Sequence, residues 1–469
     1  MPEFNGLIAQ YARDIQCQPK DFRTYLGERV RGAIATVDFQ KWYLLKQSEV
    51  ETWNGDNLTA NYITSYGTEI DLARYQLDND PFKKEHFYEI TASPSNPKYK
   101  FKKMIILGAG ASYDCLSSTA SALPRLPVSN AIFKSDPFQL IDEFYPAVRG
   151  KFSSLGVARN LEEYLTKRWD RLVQKTRREE LAELMNIQFY LHHLFLAYSH
   201  QYYGNKDCNY RALVEAISDY CSDTGEKVAV VSYNYDCLFE QAIEDRYGQI
   251  NVIQDYIAND SRPVSIFKPH GSCDWVRPIK GEYNRRINAN YGVRTDTAIR
   301  IATLATDLYK NKFTLADIHD LTGNDLLLFH KITREKHKYF QRSLSARELK
   351  TERFYWPNML LPYNKKDEFV MPYFHQFHLD EVLSQVEEML IIGWKGEERA
   401  MENKFKEKIG DRQIKVTSIG SPSELKIDKS EEEIFKNLNK SMNIEFESLR
   451  IGFSGFIKSV VDTGELFFQ

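Results

Sequence analysis

Cysteine is scarce in this chain and nowhere paired. Six occur among 469 residues (Cys17, Cys115, Cys208, Cys221, Cys237 and Cys273), none at C-x-x-C spacing, so the thiols read as buried and reduced, not as disulfides or a zinc ribbon. Long apolar runs are also missing. Nothing approaches the roughly 18 consecutive apolar residues that a membrane span needs, and the opening MPEFNGLIAQYARDIQCQ has no basic segment followed by an apolar one. A cytoplasmic protein without a membrane span or a secretory leader is the expectation. Neither sign of charge dominates: the formal net charge is -3, which gives the whole molecule no electrostatic pull toward nucleic acid. Direct nucleic-acid binding is left open, to a local patch only. Internal repeats and low-complexity tracts are absent too.

What is present is the composition of a folded chain, longer than one hydrophobic core usually organises. The tract Ala92-Ser93-Pro94-Ser95-Asn96-Pro97 discourages a helix and marks a boundary. It separates an N-terminal extension (1–100), a candidate assembly or partner surface, from a main domain (101–425), with a C-terminal extension (426–469) beyond. Within the main domain, Lys103-Met104-Ile105-Ile106-Leu107 is a short apolar run entering Gly108-Ala109-Gly110-Ala111-Ser112. Such a run followed by a glycine turn reads as a buried strand. Val228-Ala229-Val230-Val231 leads likewise into Ser232-Tyr233-Asn234-Tyr235-Asp236, and Val264-Ser265-Ile266-Phe267 into Lys268-Pro269-His270-Gly271-Ser272. Met389-Leu390-Ile391-Ile392 leads into Gly393-Trp394-Lys395-Gly396, and Gln413 to Ile419 into Gly420-Ser421-Pro422.

Helical periodicity fills the gaps between strands. Apolar residues recur at helical spacing from Glu179 to Tyr203, a second helix runs from Asn209 to Cys221 and closes at Gly225, and a third covers Cys237 to Tyr247. His192 and His193 are adjacent, so they point to different faces and read as packing or surface residues, not ligands. The predicted fold class is α/β: a Rossmann-like, mainly parallel sheet with helices on both faces, its ligand crevice beyond the C-terminal ends of the strands. A helical insertion at about 277–356 interrupts it. The basic stretch His330 to Arg353 inside that insertion reads as a solvated face.

The glycine turn is a weak signal by itself, because Tyr113 stands where the third glycine of G-x-G-x-x-G would fall. Its functional reading is a dinucleotide phosphate site at Gly108, Ala109 and Gly110, with Ser112 donating a further hydrogen bond. The bland readings are also available. A His-Gly pair often only makes a turn, Asn234 could cap a helix, and Asp236 could accept backbone N–H bonds at the start of the helix that follows it.

Four motifs in order, G-A-G-A-S, S-Y-N-Y-D, K-P-H-G and G-W, are more specific than any one of them. In this order the chain resembles the sirtuin (SIR2) superfamily, whose members carry G-A-G-x-S, T-Q-N-x-D and a catalytic H-G. Ser232 and Tyr233 fill the first two places of T-Q-N-x-D, and Asn234 and Asp236 are kept. The resemblance runs from about Met104 to about Leu425 and implies an NAD site formed by Gly108, Ala109, Gly110, Ser112, Asp114, Ser232, Asp236, Gly271, Gly393, Trp394, Gly420 and Ser421. Asp236 would recognise the nicotinamide carboxamide. Lys395 stands where sirtuins commonly have serine, and Gly420-Ser421 replaces a step that usually contains asparagine, so the adenosine side departs from the pattern.

Only Cys273 follows the H-G motif closely, so the four-cysteine zinc module of protein deacylases is not expected. What remains is similar to the bacterial SIR2-like domains of antiphage defence, which hydrolyse NAD; Asn160 to Leu165 and Leu361-Pro362-Tyr363 add to that likeness. The implied activity is NAD glycohydrolysis, with NAD as substrate and with Asn234 and His270 as the catalytic pair. Asn234 can hold the ribose hydroxyls and a water because an amide both donates and accepts. His270 can take a proton near neutral pH. Implied partners are further copies of the chain, or an activator such as a HerA-like ATPase or an Argonaute-like protein. Two other readings stay open: a protein deacylase or ADP-ribosyltransferase, and a non-catalytic NAD or ADP-ribose sensor.

Overall fold

The computed structural model describes residues 99–116, 161–174, 178–203, 205–279, 355–362, 369–422 and 429–466, together with positions 125, 126, 132, 145, 148, 305, 306, 309, 310 and 326–329. The N-terminal extension, most of the insertion and its basic stretch lie outside the described residues. The chain divides into two units, Met1–Lys100 with Met371–Glu381, and Phe101–Val370 with Val382–Gln469. In the first, Gln376 returns its amide to the Met371 carbonyl at 3.0 Å, and His378 meets Glu381 one helical turn on at 3.1 Å. The second unit carries the sheet.

In chain order the described elements are β1 (Lys103–Leu107), α1 (Ala109–Tyr113), α2 (Leu161–Gln174), α3 (Arg178–Tyr202), α4 (Asn209–Thr224), β2 (Val228–Ser232), α5 (Leu238–Tyr247) and β3 (Val264–Phe267). These are followed by β4 (Gly271–Pro278), β5 (Leu327–Leu328), β6 (Tyr355–Met359), α6 (Tyr373–Leu383), β7 (Glu388–Ile392), α7 (Arg399–Lys408), β8 (Gln413–Ile419), α8 (Lys429–Asn439), β9 (Asn443–Leu449) and α9 (Gly452–Thr463). Six strands form one sheet in the order β3-β2-β1-β7-β8-β9, and every pairing in it is parallel. This is the Rossmann-like sheet that the alternation of apolar runs and helices predicts. β1, β2, β3 and β7 are almost wholly buried, as strands covered on two faces must be.

The strand order locates the crevice, and two further features mark the opposite end of the sheet. β1 lies at the centre, between β2 and β7, where the strand order reverses direction, and such a switch point opens a crevice at the strands' C-terminal ends. Lys103 on β1 and Glu388 on β7 form an ion pair between these two strands. α4 ends where the sequence places it, with Gly225 in the left-handed region at φ 71, a conformation that suits glycine.

The last residues are more than an appendage. β9 pairs with β8 along its whole length, so part of the segment expected as a C-terminal extension supplies the sheet's sixth strand. Its alternating half-exposed pattern is that of an edge strand wet on one face. β4, β5 and β6 form a separate antiparallel sheet, and Gln188 of α3 anchors β6 by donating to the carbonyls of Pro357 and Met359 at 3.3 and 2.8 Å. The described part of the insertion contains strand residues and also the helical positions 305, 306, 309, 310 and 329, and the rest of the expected helical insertion lies outside the described residues. Cys115, Cys208, Cys221 and Cys273 are buried free thiols and Cys237 is half-buried. Cys17 lies outside the described residues.

Candidate functional site

The loops after β1, β2, β3, β7 and β8 meet around one cleft of about 750 Å³, a volume suited to a cofactor-sized ligand. Among the residues expected to form a site, Gly108, Ala109, Gly110, Ser112, Asp114, Asn234, Asp236, His270, Gly393, Trp394, Gly420 and Ser421 line it. Ser232 and Gly271 do not. Ser232 is the last residue of β2, buried in register with Leu107. Gly271 turns at φ 78, and a Cβ there would fall 2.1 Å from the Asn358 carbonyl oxygen, so its glycine serves the close approach of β4 and β6.

The glycines of this turn also serve a close approach of two backbones. A Cβ on Gly108 would lie 2.3 Å from the Gly393 carbonyl oxygen, and one on Gly393 would lie 2.4 Å from the Ala111 nitrogen. These glycines let the turns after β1 and β7 pack backbone against backbone. Gly110 N–H donates to Gly393 O at 3.2 Å and Ala111 N–H to Gly108 O at 2.9 Å, so part of the turn's donor capacity is already used within the protein.

Asn234 is fixed against this turn. Its Nδ2 donates to the Gly108 carbonyl at 3.0 Å, to Ser112 Oγ at 2.9 Å and to the Tyr210 hydroxyl at 3.3 Å, while Ser112 and Tyr210 bond each other at 2.9 Å. A carbonyl can only accept, so the nitrogen end of the amide must face Gly108. Oδ1 accepts no hydrogen bond among the described residues and is the group Asn234 offers to a ligand. Ser112, expected to meet a pyrophosphate, is 3% exposed and engaged in this network.

His270 lines the same cleft and is only 4% exposed. The Tyr233 ring meets its imidazole edge-on at 4.9 Å between centroids, and Tyr235 lies at 6.3 Å. The Tyr233 ring also stacks on Trp394 at 5.2 Å between centroids and 8° between planes. Neither the Tyr233 hydroxyl nor the Trp394 indole N–H has a partner within the described residues, though both are buried. An orphaned buried polar atom is costly in isolation and calls for a partner that the described residues do not supply. The sequence carries no signal for Tyr233 as a site residue, because it stands where the motif has glutamine.

Asp236 takes up the role its bland reading describes, accepting the N–H of Leu238 at 3.1 Å at the start of α5. Burial raises its pKa, with Lys268 and Ser112 pulling the other way. Below it Lys268, wholly buried, donates to the Asp236 carbonyl at 2.6 Å and to Glu240 at 2.5 Å. Burial disfavours the Lys268 ammonium, yet the Glu240 carboxylate and its other neighbours hold its pKa above the ordinary lysine value. Burial raises Glu240 against the pull of the same ammonium. This buried pair ties the loop carrying Asn234 to the strand end carrying His270.

Residues 228–314 match the family model of the SIR2-like domain. That SIR2-like segment contains β2, β3 and β4 and therefore both Asn234 and His270. No curated protein matches the chain. Among solved structures, one on the basis of sirtuin substrate affinity is 12% identical, covering 78% of this chain and 95% of that one at a TM-score of 0.32. A Sir2 structure with a p53 peptide and NAD+ is 11% identical, covering 78% and 94% at 0.31. Among the described residues no group of three metal-ligating side chains occurs around the SIR2-like segment or elsewhere, and no helix is long and apolar enough to cross a membrane.

The remaining wall of the cleft carries residues that no motif announced. Arg125 and Lys395 supply positive charge, while Glu162, Glu397, Glu398 and Glu431 join Asp114 in supplying negative charge. Arg125 lies over the Tyr113 ring at 5.2 Å. Burial raises the Glu397 carboxyl, Lys395 opposes that shift, and Glu433 and Glu162 add to it.

Proposed function

We propose that this protein is an NAD glycohydrolase, cleaving NAD with water to nicotinamide and ADP-ribose. The observation that carries the reading is that Asn234 and His270, from the ends of two different strands, line one cleft together with the glycine turn of the central strand. The cleft suits the dinucleotide: Arg125 and Lys395 provide cations for a pyrophosphate, Tyr233 and Trp394 provide a flat aromatic wall, and Asn234 Oδ1 is open to a ribose hydroxyl. Hydrolysis breaks the bond between ribose C1 and the nicotinamide nitrogen, and the electron pair leaves with nicotinamide, which becomes neutral. Positive charge on the sugar is quenched by water, whose proton passes to His270 and then to solvent. The leaving group is already cationic, so positioning and proton removal contribute most of the acceleration.

The biological reading that follows is NAD depletion by an effector held silent until triggered, as in antiphage defence. Activation would come from self-assembly or from a partner such as a HerA-like ATPase or an Argonaute-like protein. The test is to incubate the purified chain, alone and co-expressed with the products of neighbouring genes, with NAD, and to quantify nicotinamide and ADP-ribose by chromatography. Release by the wild type and a loss of roughly 10²- to 10⁴-fold in His270→Ala are expected. Formation of O-acyl-ADP-ribose from an acyl-lysine peptide would make it a deacylase instead. Binding of NAD without turnover, indifferent to His270→Ala, would make it a sensor.

A further inference from the structure

The strand order assigns the two ends of the cleft different tasks. If the reaction takes place beside Asn234 and His270, at the ends of β2 and β3, the pyrophosphate crosses the turns of β1 and β7, and the far ribose comes to rest beyond β8. Three strand steps separate β2 from β8, roughly 14 Å at ordinary strand spacing, a span that an extended dinucleotide covers. At that end Gly420 follows β8, and Ile434 and Phe453 add apolar surface for a flat base.

The residue set beside Gly420 is Glu431, in the first turn of α8. A Cβ on Gly420 would lie 2.8 Å from Glu431 Oε1, so the missing side chain is what lets this carboxylate reach the strand end. Arg450 fixes it there, with Nε 3.1 Å from both carboxylate oxygens and Nη2 3.0 Å from Oε2. A carboxylate has more acceptor sites than this guanidinium uses, so Glu431 retains capacity for a hydroxyl donor. Glu397 and Glu398 stand in the same wall. A second, independent sign that the cleft takes a ligand is the Trp394 indole N–H, unpartnered among the described residues in a side chain 5% exposed that lines the same cleft between the Tyr233 wall and the turn after β7.

We infer that Glu431 is a specificity-determining residue that accepts the adenosine ribose hydroxyls of NAD and excludes the 2′-phosphorylated dinucleotide NADP. The inference rests on the NAD reading of the cleft. Its chemistry is general: a carboxylate at a ribose diol accepts hydrogen bonds from free hydroxyls, whereas a phosphate in that place brings like charges together and removes a donor. The arrangement also contains its own converse. Removing the Glu431 charge leaves the Arg450 guanidinium beside the ribose position without this carboxylate, which favours a phosphate.

The test compares NAD and NADP by calorimetry on the His270→Ala variant, which holds substrate without consuming it, and by nicotinamide release from wild type. Wild-type preference for NAD of roughly tenfold or more is expected, with Glu431→Gln narrowing or inverting that ratio by weakening NAD and strengthening NADP. Because the selectivity ratio of the unmutated site is itself a readout, a poorly folded Glu431→Gln does not rescue the idea. Equal affinity for the two dinucleotides in the unmutated site, or an unchanged ratio in a folded Glu431→Gln, overturns the specificity role and leaves the dinucleotide site standing. Failure of both to bind contradicts the dinucleotide reading itself, and this inference with it.

Discussion

At the scale of single residues, the site depends on side chains that carry no ligand. Lys268 is wholly buried between Glu240 and the Asp236 carbonyl, and breaking a buried pair leaves an uncompensated charge or a protonated carboxyl in its place. Lys268→Met should cost about 3–5 kcal/mol in urea unfolding, and Lys268→Met with Glu240→Leu should recover much of it. A double variant no better than the single one would show that the pair is not the energetic unit. That Asn234 and His270 stand at the ends of two strands was legible in the sequence, because each follows a short apolar run. The importance of Lys268 was not, since a lysine before proline reads as a surface residue until Glu240, 28 positions away, is brought beneath it. Glu431 was hidden for the same reason: it is contributed by the helix after the strand, not by the strand's own tip.

At the scale of elements, the turns after β1 and β7 form one unit. Gly393 has φ 66 and would place a Cβ 2.4 Å from the Ala111 nitrogen, whereas Gly225, at φ 71, has nothing within 4 Å of its would-be Cβ. Both substitutions to alanine strain the backbone by about 1 kcal/mol or more, but only Gly393→Ala also forces two backbones apart. Thermal melts should therefore show Gly225→Ala mildly destabilised with ligand binding intact, and Gly393→Ala more destabilised and defective in binding. Equal losses in the two would contradict the close-packed turn. The G-A-G-A-S motif thus fits close backbone packing as well as phosphate binding, and the sequence does not distinguish the two. The strand β9 escaped notice because its alternation of polar and apolar residues, Asn443 to Leu449, lacks the continuous apolar run that marked the inner strands.

At the scale of the whole molecule, the interior sets a limit on acid tolerance. His192 and His193 sit on α3 with their rings in contact at 5.2 Å. Burial lowers His192 well below its ordinary value, with His193 adding to the shift. His193, half-buried as a residue but with its Nδ1 2.7 Å from the Tyr145 hydroxyl, is pushed down by burial from 6.5 to about 4. Histidines whose folded pKa is depressed bind more protons when unfolded, so their contribution is complete above pH 6.5 and is lost as the pH falls toward 4. The change is on the order of 3 kcal/mol at most for His193. Comparing wild type with His193→Gln across that window cancels the opposing titration of Asp236 and Glu240. Wild type should lose stability relative to the variant on acidification, and a constant difference would show that His193 is not the titrating group.

The claim on which the functional account turns is that one ribose meets Asn234 and His270 at once. A crystal structure of the wild-type protein with a non-cleavable NAD analogue tests it. The account predicts the nicotinamide ribose within hydrogen-bond reach of Asn234 Oδ1, with His270 beside C1 and the adenosine toward Glu431. An analogue bound in the reverse sense, or with that ribose outside the space between Asn234 and His270, would contradict it.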